Sequence, residues 1–204
     1  MSERASSRIG IRIAWNVKPV DNLPMNFPID AKKATHAVAR LIEKSGGSAD
    51  YLRVAKLIYL ADRKSLLARG IPIVGGHYFS MERGPTIGEV MDFVQRQNAP
   101  DWKATISPRH DNTLRLKALP DFGALSEAEM EILDGIVKEH EGKSTGQLVD
   151  WCHTHCKEYE DVPTGKRKDI SVESILRAEK RDERKISRVV REAESLAKLD
   201  ALLA

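Results

Sequence analysis

The sequence WCHTHC places Cys152, His153, His155 and Cys156 within five residues, its densest run of metal-ligating side chains. Thiolates and imidazoles in that number suit zinc. On a helix, however, Cys152 and Cys156 face one way and His153 projects about 100° from them, so these four alone cannot close a tetrahedron. Cys152, His153 and Cys156 are therefore weak metal candidates that need ligands from elsewhere, and no second cluster such as C-x-x-C occurs. Two small packed thiols are the simpler reading. A cysteine nucleophile would need His36 or His140 as its base, without any local signature to support the pairing.

The stretch GGHYFSMERGPT, residues 75–86, raises phosphate binding instead. Gly75 and Gly76 lack the Lys-Ser/Thr pair of a Walker loop, and no G-x-G-x-x-G joins a strand to a helix. The glycines read as turn formers. Carboxylate neighbours Glu129 and Glu131, and Asp182 and Glu183, read as solvated helix faces. The expectation is a protein that is not an enzyme, with no catalytic residues, no cofactor and no metal.

Over 204 residues, 41% hydrophobic and 31% charged side chains describe a globular chain with one good-sized core. No apolar run reaches the length of a membrane span, and MSERASSRIGIRIAW has no continuous apolar signal core, so a cytoplasmic protein with free cysteines is expected. A net charge of +3 does not argue for nucleic acid. Residues 177–192, RAEKRDERKISRVVRE, hold seven basic and four acidic side chains and read as a solvated helix.

Residues 1–29, with Pro19, Pro24 and Pro28, read as an extended arm. Asp30 stands at an N-cap, and Ala34, Ala37, Val38, Leu41 and Ile42 repeat as one buried helical face up to Gly46 and Gly47. Ser48 is expected to cap a central helix over about 49–68, apolar on more than one side, in which Lys56 and Asp62 need partners. HYFSMER alternates as a short strand, with His77, Phe79 and Met81 on one side and Tyr78, Ser80 and Glu82 on the other. Gly84 and Pro85 then pass directly into a helix. WKATIS and TLRLKAL predict a hairpin across PRHDN, with Leu114, Leu116 and Ala118 on one face. SEAE is a capping box for a helix to about Glu141, and another helix runs to about Tyr159, where the core ends. DVPTGKRKD reads as a linker. A last helix from about Ser171 carries the narrow stripe Val189, Ala193, Leu196, Leu199 and Leu203, suited to docking on the domain or to a homodimer. The fold class expected is mainly α (α+β), a compact helical domain at 30–162 with a small antiparallel β element, and a linker and C-terminal helical extension at 163–204.

From Lys56 to Pro85 the residues Lys56, Leu57, Tyr59, Asp62, Gly70, Pro72, Gly75, Tyr78, Met81, Gly84 and Pro85 follow one another in an order similar to the signature of the Panacea domain. This is the SocA-like antitoxin family, also met as phage-associated GepA-like proteins. The resemblance covers about residues 31–160. WCHTHCKEYED looks like the family's closing helix, where a histidine commonly precedes a proline and an aromatic; His153 or His155 stands at that place, and neither is followed by proline.

The resemblance implies a non-enzymatic antitoxin that neutralises a protein toxin encoded by an adjacent gene through direct contact. For some members it also implies an adaptor role, delivering the toxin to a Clp protease. A cluster of Tyr78, Phe79, Met81, Glu82 and Arg83 on a braced strand suits partner contact. Phe79 and Met81 are expected to face the core, and Tyr78, Glu82 and Arg83 the surface. Asp62 is expected to accept loop N–H groups, and Lys56 to bind carbonyls or a carboxylate. The apolar end Leu202, Leu203 and Ala204 reads as the last turn of a packed helix, with a protease-gripped tail as the sharper alternative. The alternative function is a DNA-binding transcriptional regulator, with the hairpin at 102–119 as a wing and the basic C-terminal helix tracking phosphate.

Overall fold

Asp30 accepts the Lys33 N–H and opens helix α1, Ala31–Lys44, whose Ala34, Ala37, Val38, Leu41 and Ile42 are all buried. The computed structural model describes residues 26–203. The expected arm therefore lies outside the described residues except for its last four. Positive φ at Gly46 and Gly47 turns the chain into strand β1, Ser48–Asp50. Asp50, rather than Ser48, caps helix α2, Tyr51–Arg69, by accepting the Leu52 and Arg53 N–H groups. Ser48 is withdrawn from that role by its place in the strand.

Helix α2 is buried around most of its circumference between Val54 and Asp62 and is the axis of the core. It ends at Gly70 in the left-handed region. Strands β2, Tyr78–Met81, and β3, Gly84–Ile87, then form an antiparallel hairpin with Glu82 and Arg83 at its tip. Pro85 therefore lies in a returning strand and not in the first turn of a helix. A proline is tolerated there because β3 is the edge of a sheet of order β3-β2-β5. Helix α3, Gly88–Arg96, starts only after that strand.

The segment 102–119 forms only part of the predicted hairpin. Trp102–Thr105 is a short helix, α4, with Trp102 and Thr105 buried, and strand β4, Thr113–Arg115, pairs antiparallel with β1. The two stretches still meet, through the bridge Ile106 to Leu116 and through the N–H groups of Ser107 and Lys117, which donate to the Arg115 and Thr105 carbonyls; Ala118 is exposed.

Helices α5, Glu127–Glu139, and α6, Thr145–His155, each open on a capping box, Ser126 with Glu129 and Ser144 with Gln147. Glu129 is buried, held by Ser126 and by Lys33 at 3.2 Å, which corrects its reading as a solvated carboxylate; Glu131 is exposed. Helix α6 stops at His155, short of Tyr159.

The core does not end there. Arg167–Ile170, inside the segment read as a linker and its flank, is strand β5 on the other side of β2. One apolar residue in R-K-D-I carries no strand signal. Two helices follow, α7, Val172–Ala178, and α8, Glu183–Leu203, burying Val172, Ile175, Leu176, Ile186, Val189 and Ala193. The result is mainly α with two small antiparallel sheets. No helix among the described residues is long and apolar enough to cross a membrane.

Candidate functional site

Asp62 lies at the centre of α2 with no exposed surface. Its Oδ1 accepts the N–H groups of Ile73 and Val74 at 2.9 Å, and its Oδ2 accepts the Gly75 N–H and the Tyr78 hydroxyl at 3.0 Å. Burial pushes the carboxyl up to about 6, against the pull of these four donors. Gly75 is required by the same loop: its φ is +74° and a Cβ would lie 2.5 Å from the Pro28 carbonyl oxygen. Tyr59 meets Tyr78 edge to face, and its hydroxyl donates to Glu158 at 2.6 Å. Arg63 joins Glu158 to Glu179.

Lys56, one and a half turns earlier on α2, reaches the opposite end of the hairpin. Its ammonium is buried and donates to the Pro85 carbonyl at 2.6 Å, and desolvation lowers it to about 8. Gly84 closes over it with φ +87°; a Cβ there would come within 3.1 Å of the His153 ring and 3.5 Å of Lys56 Cε. His153 stacks on Tyr159, whose hydroxyl donates to the Met81 carbonyl at 3.1 Å. His153 is thus the histidine of α6 that meets the hairpin, whereas His155 is exposed and stacks on Trp151.

Tyr78 and Phe79 are both buried, 1% and 4% exposed, which corrects Tyr78 as a surface residue. The strand has no free face at that point, because α2 covers one side and Arg167 lies 4.3 Å over the Phe79 ring on the other. Met81 is half-buried, and Glu82 and Arg83 are exposed. His77 is ion-paired with Glu89, which also accepts the His77 N–H at 2.9 Å. The hydrogen bond to Glu89 raises His77; burial pushes Glu89 up, but the ring, the N–H and the charge of His77 together hold it below its usual range. Sequence reasoning missed Glu89, Glu158 and Tyr159, since no local pattern connects them to the strand.

Cys152 and Cys156 are free and buried, and their mutual hydrogen bond lowers the first thiol and raises the second. Among the described residues no group of three or more His, Cys, Asp and Glu side chains is placed to hold a metal. The contacts of the motif residues clamp a hairpin between a central helix and the end of α6, with Glu82 and Arg83 at its tip.

These features define a helical protein whose sequence motif braces a surface hairpin. Residues 54–159, more than half of the chain, match the model of the antitoxin SocA-like, Panacea domain, and the chain belongs to that family. Comparison with curated proteins and with solved structures finds no match. Strand β5 and helices α7 and α8 lie outside the matched span.

Proposed function

We propose that this chain is an antitoxin that neutralises a toxin encoded by an adjacent gene through direct protein contact. Family membership supports the antitoxin role in general. The observation that carries the contact reading is the braced hairpin: Lys56, Asp62, Gly75 and Gly84 hold the Glu82–Arg83 tip in one conformation, which lowers the ordering cost of binding. Met81, Glu82 and Arg83 meet the partner, while Tyr78 and Phe79 keep the strand in shape.

Co-expression with the neighbouring reading frame tests this. Growth rescue and co-purification are expected, and the Glu82→Lys, Arg83→Glu double variant should lose both with an unchanged melting curve. A harmless neighbour, or a double variant that rescues like the wild type, sinks the reading.

Family membership supports the finer reading of an adaptor that delivers the bound toxin to a Clp protease, and the exposed Leu202 and Leu203 of α8 are where such a protease would grip; Ala204 lies outside the described residues. Pulse-chase of chain and toxin with both leucines changed to aspartate should lengthen the half-lives. Leu196 and Leu199, also exposed, supply a homodimer seam. Light scattering of Leu199→Asp against the wild type checks it, a shared monomer mass being the negative result.

A further inference from the structure

A groove runs between the last turn of α2 and the start of α8, floored by Leu67, Leu176 and Val189 and rimmed by Arg69, Arg181, Lys185 and Arg188. Gly70 makes it: a Cβ there would stand 3.1 Å from Val189 Cγ2, so its absence lets α8 lie close against the end of α2. Lys185 and Arg188 share one face of α8, and both are exposed.

The rim carries four positive charges and no acid. Arg181 gives one bond to the Leu67 carbonyl at 2.8 Å. The four carboxylates from Glu173 to Glu183 are engaged elsewhere. Asp182 caps α8 by accepting the Arg184 and Lys185 N–H groups, Glu173 and Glu183 pair with Arg177, and Glu179 pairs with Arg63. Glu192, one turn past Arg188, ends the basic stretch. Like charges gathered around one trough raise its potential, and a ligand bearing carboxylates relieves that repulsion.

We infer that this groove receives an acidic segment of a protein partner, with carboxylates on the rim and an aliphatic side chain against the floor. A protein fits better than a nucleic acid, because no aromatic side chain lines the groove to stack a base and the apolar floor has no counterpart on a phosphate backbone. The inference rests on the protein-binding reading above, and it places a second contact where α2 meets helices outside the family's matched span.

The test uses the full chain and a fluorescein-labelled peptide of alternating glutamate and leucine. Binding should weaken with salt, and Lys185→Glu with Arg188→Glu should reduce it roughly tenfold or more. The variant Arg184→Glu with Arg191→Glu, equal in charge change but off the groove, should bind nearly as the wild type does. No peptide binding, equal loss in both variants, or a short DNA duplex that displaces the peptide overturns the proposal. Growth rescue separates the two readings. If the groove variant rescues as well as the wild type, the groove is not a toxin contact and the antitoxin reading stands. If the wild type fails to rescue while only the groove variant loses the peptide, the antitoxin reading falls and the acidic-segment site stands.

Discussion

The Tyr78 hydroxyl donates to the Asp62 carboxylate across 3.0 Å, tying the first residue of β2 to the middle of α2. The same carboxylate accepts three consecutive loop N–H groups, so helix, loop and hairpin are held by one buried group.

Asp62→Ala leaves those four donors without an acceptor. Each buried orphan costs roughly 1–3 kcal/mol, and partial relaxation brings the expected loss to on the order of 3–5 kcal/mol. Tyr78→Phe removes a single donor and should cost about 1 kcal/mol. Urea unfolding of both variants checks the ranking; an Asp62→Ala protein as stable as wild type but unable to rescue growth would move Asp62 from scaffold to contact.

Lys56 titrates at about 8 when folded against a usual 10.5, because burial disfavours its charge. Between these values the unfolded chain holds the extra proton, so this residue's contribution to stability rises with pH from 8 to 10.5. The full difference corresponds to about 3 kcal/mol. Lys56→Met lacks the effect, so the stability of the wild type relative to the variant should climb between neutral and alkaline pH. A constant difference would mean that Lys56 is not desolvated in solution.

The His77–Glu89 pair works in a different window. His77, raised above 6.5, contributes fully below that pH and loses its contribution as pH rises through its folded value. Glu89, held below 4.5, contributes above that pH and loses it on acidification. The pair is therefore strongest between 4.5 and 6.5. Both side chains are partly exposed, so the effect is about 1 kcal/mol or less. His77→Gln should flatten that part of the pH–stability curve, and NMR titration of the His77 ring reports the shift directly.

Gly84→Ala should destabilise by about 1–2 kcal/mol from its left-handed backbone alone. It also meets His153 at 3.1 Å. Combining it with His153→Ala should cost less than the sum of the two single changes, as thermal melts of the cycle would show. Strict additivity would mean that the ring does not confine the glycine.

Much of the fold follows from rules that act within a turn or two of chain. Asp30 capping α1, the Ser126–Glu129 box and the apolar spacing of α1 and α2 are local interactions, and they are visible in order along the sequence. The motif from Lys56 to Pro85 was equally visible, because its glycines, prolines and charges are rare in combination, and it was enough to indicate the family. Its placement errors were also local: G-P reads as well for a helix start as for a returning edge strand, and R-K-D-I has no apolar rhythm to announce β5.

What the chain's order could not supply was which residues meet. Lys56 binds a carbonyl 29 residues away, and Tyr59 a carboxylate 99 residues away. Alternation assigned Tyr78 and Phe79 to opposite sides of a strand, correctly, but whether a side is wet depends on what packs over it. Here α2 covers one side and Arg167 of β5 the other. Burial is a property of the assembled layers, so packing alone removed Tyr78 from the surface and left Glu82 and Arg83 there, where the sequence placed them.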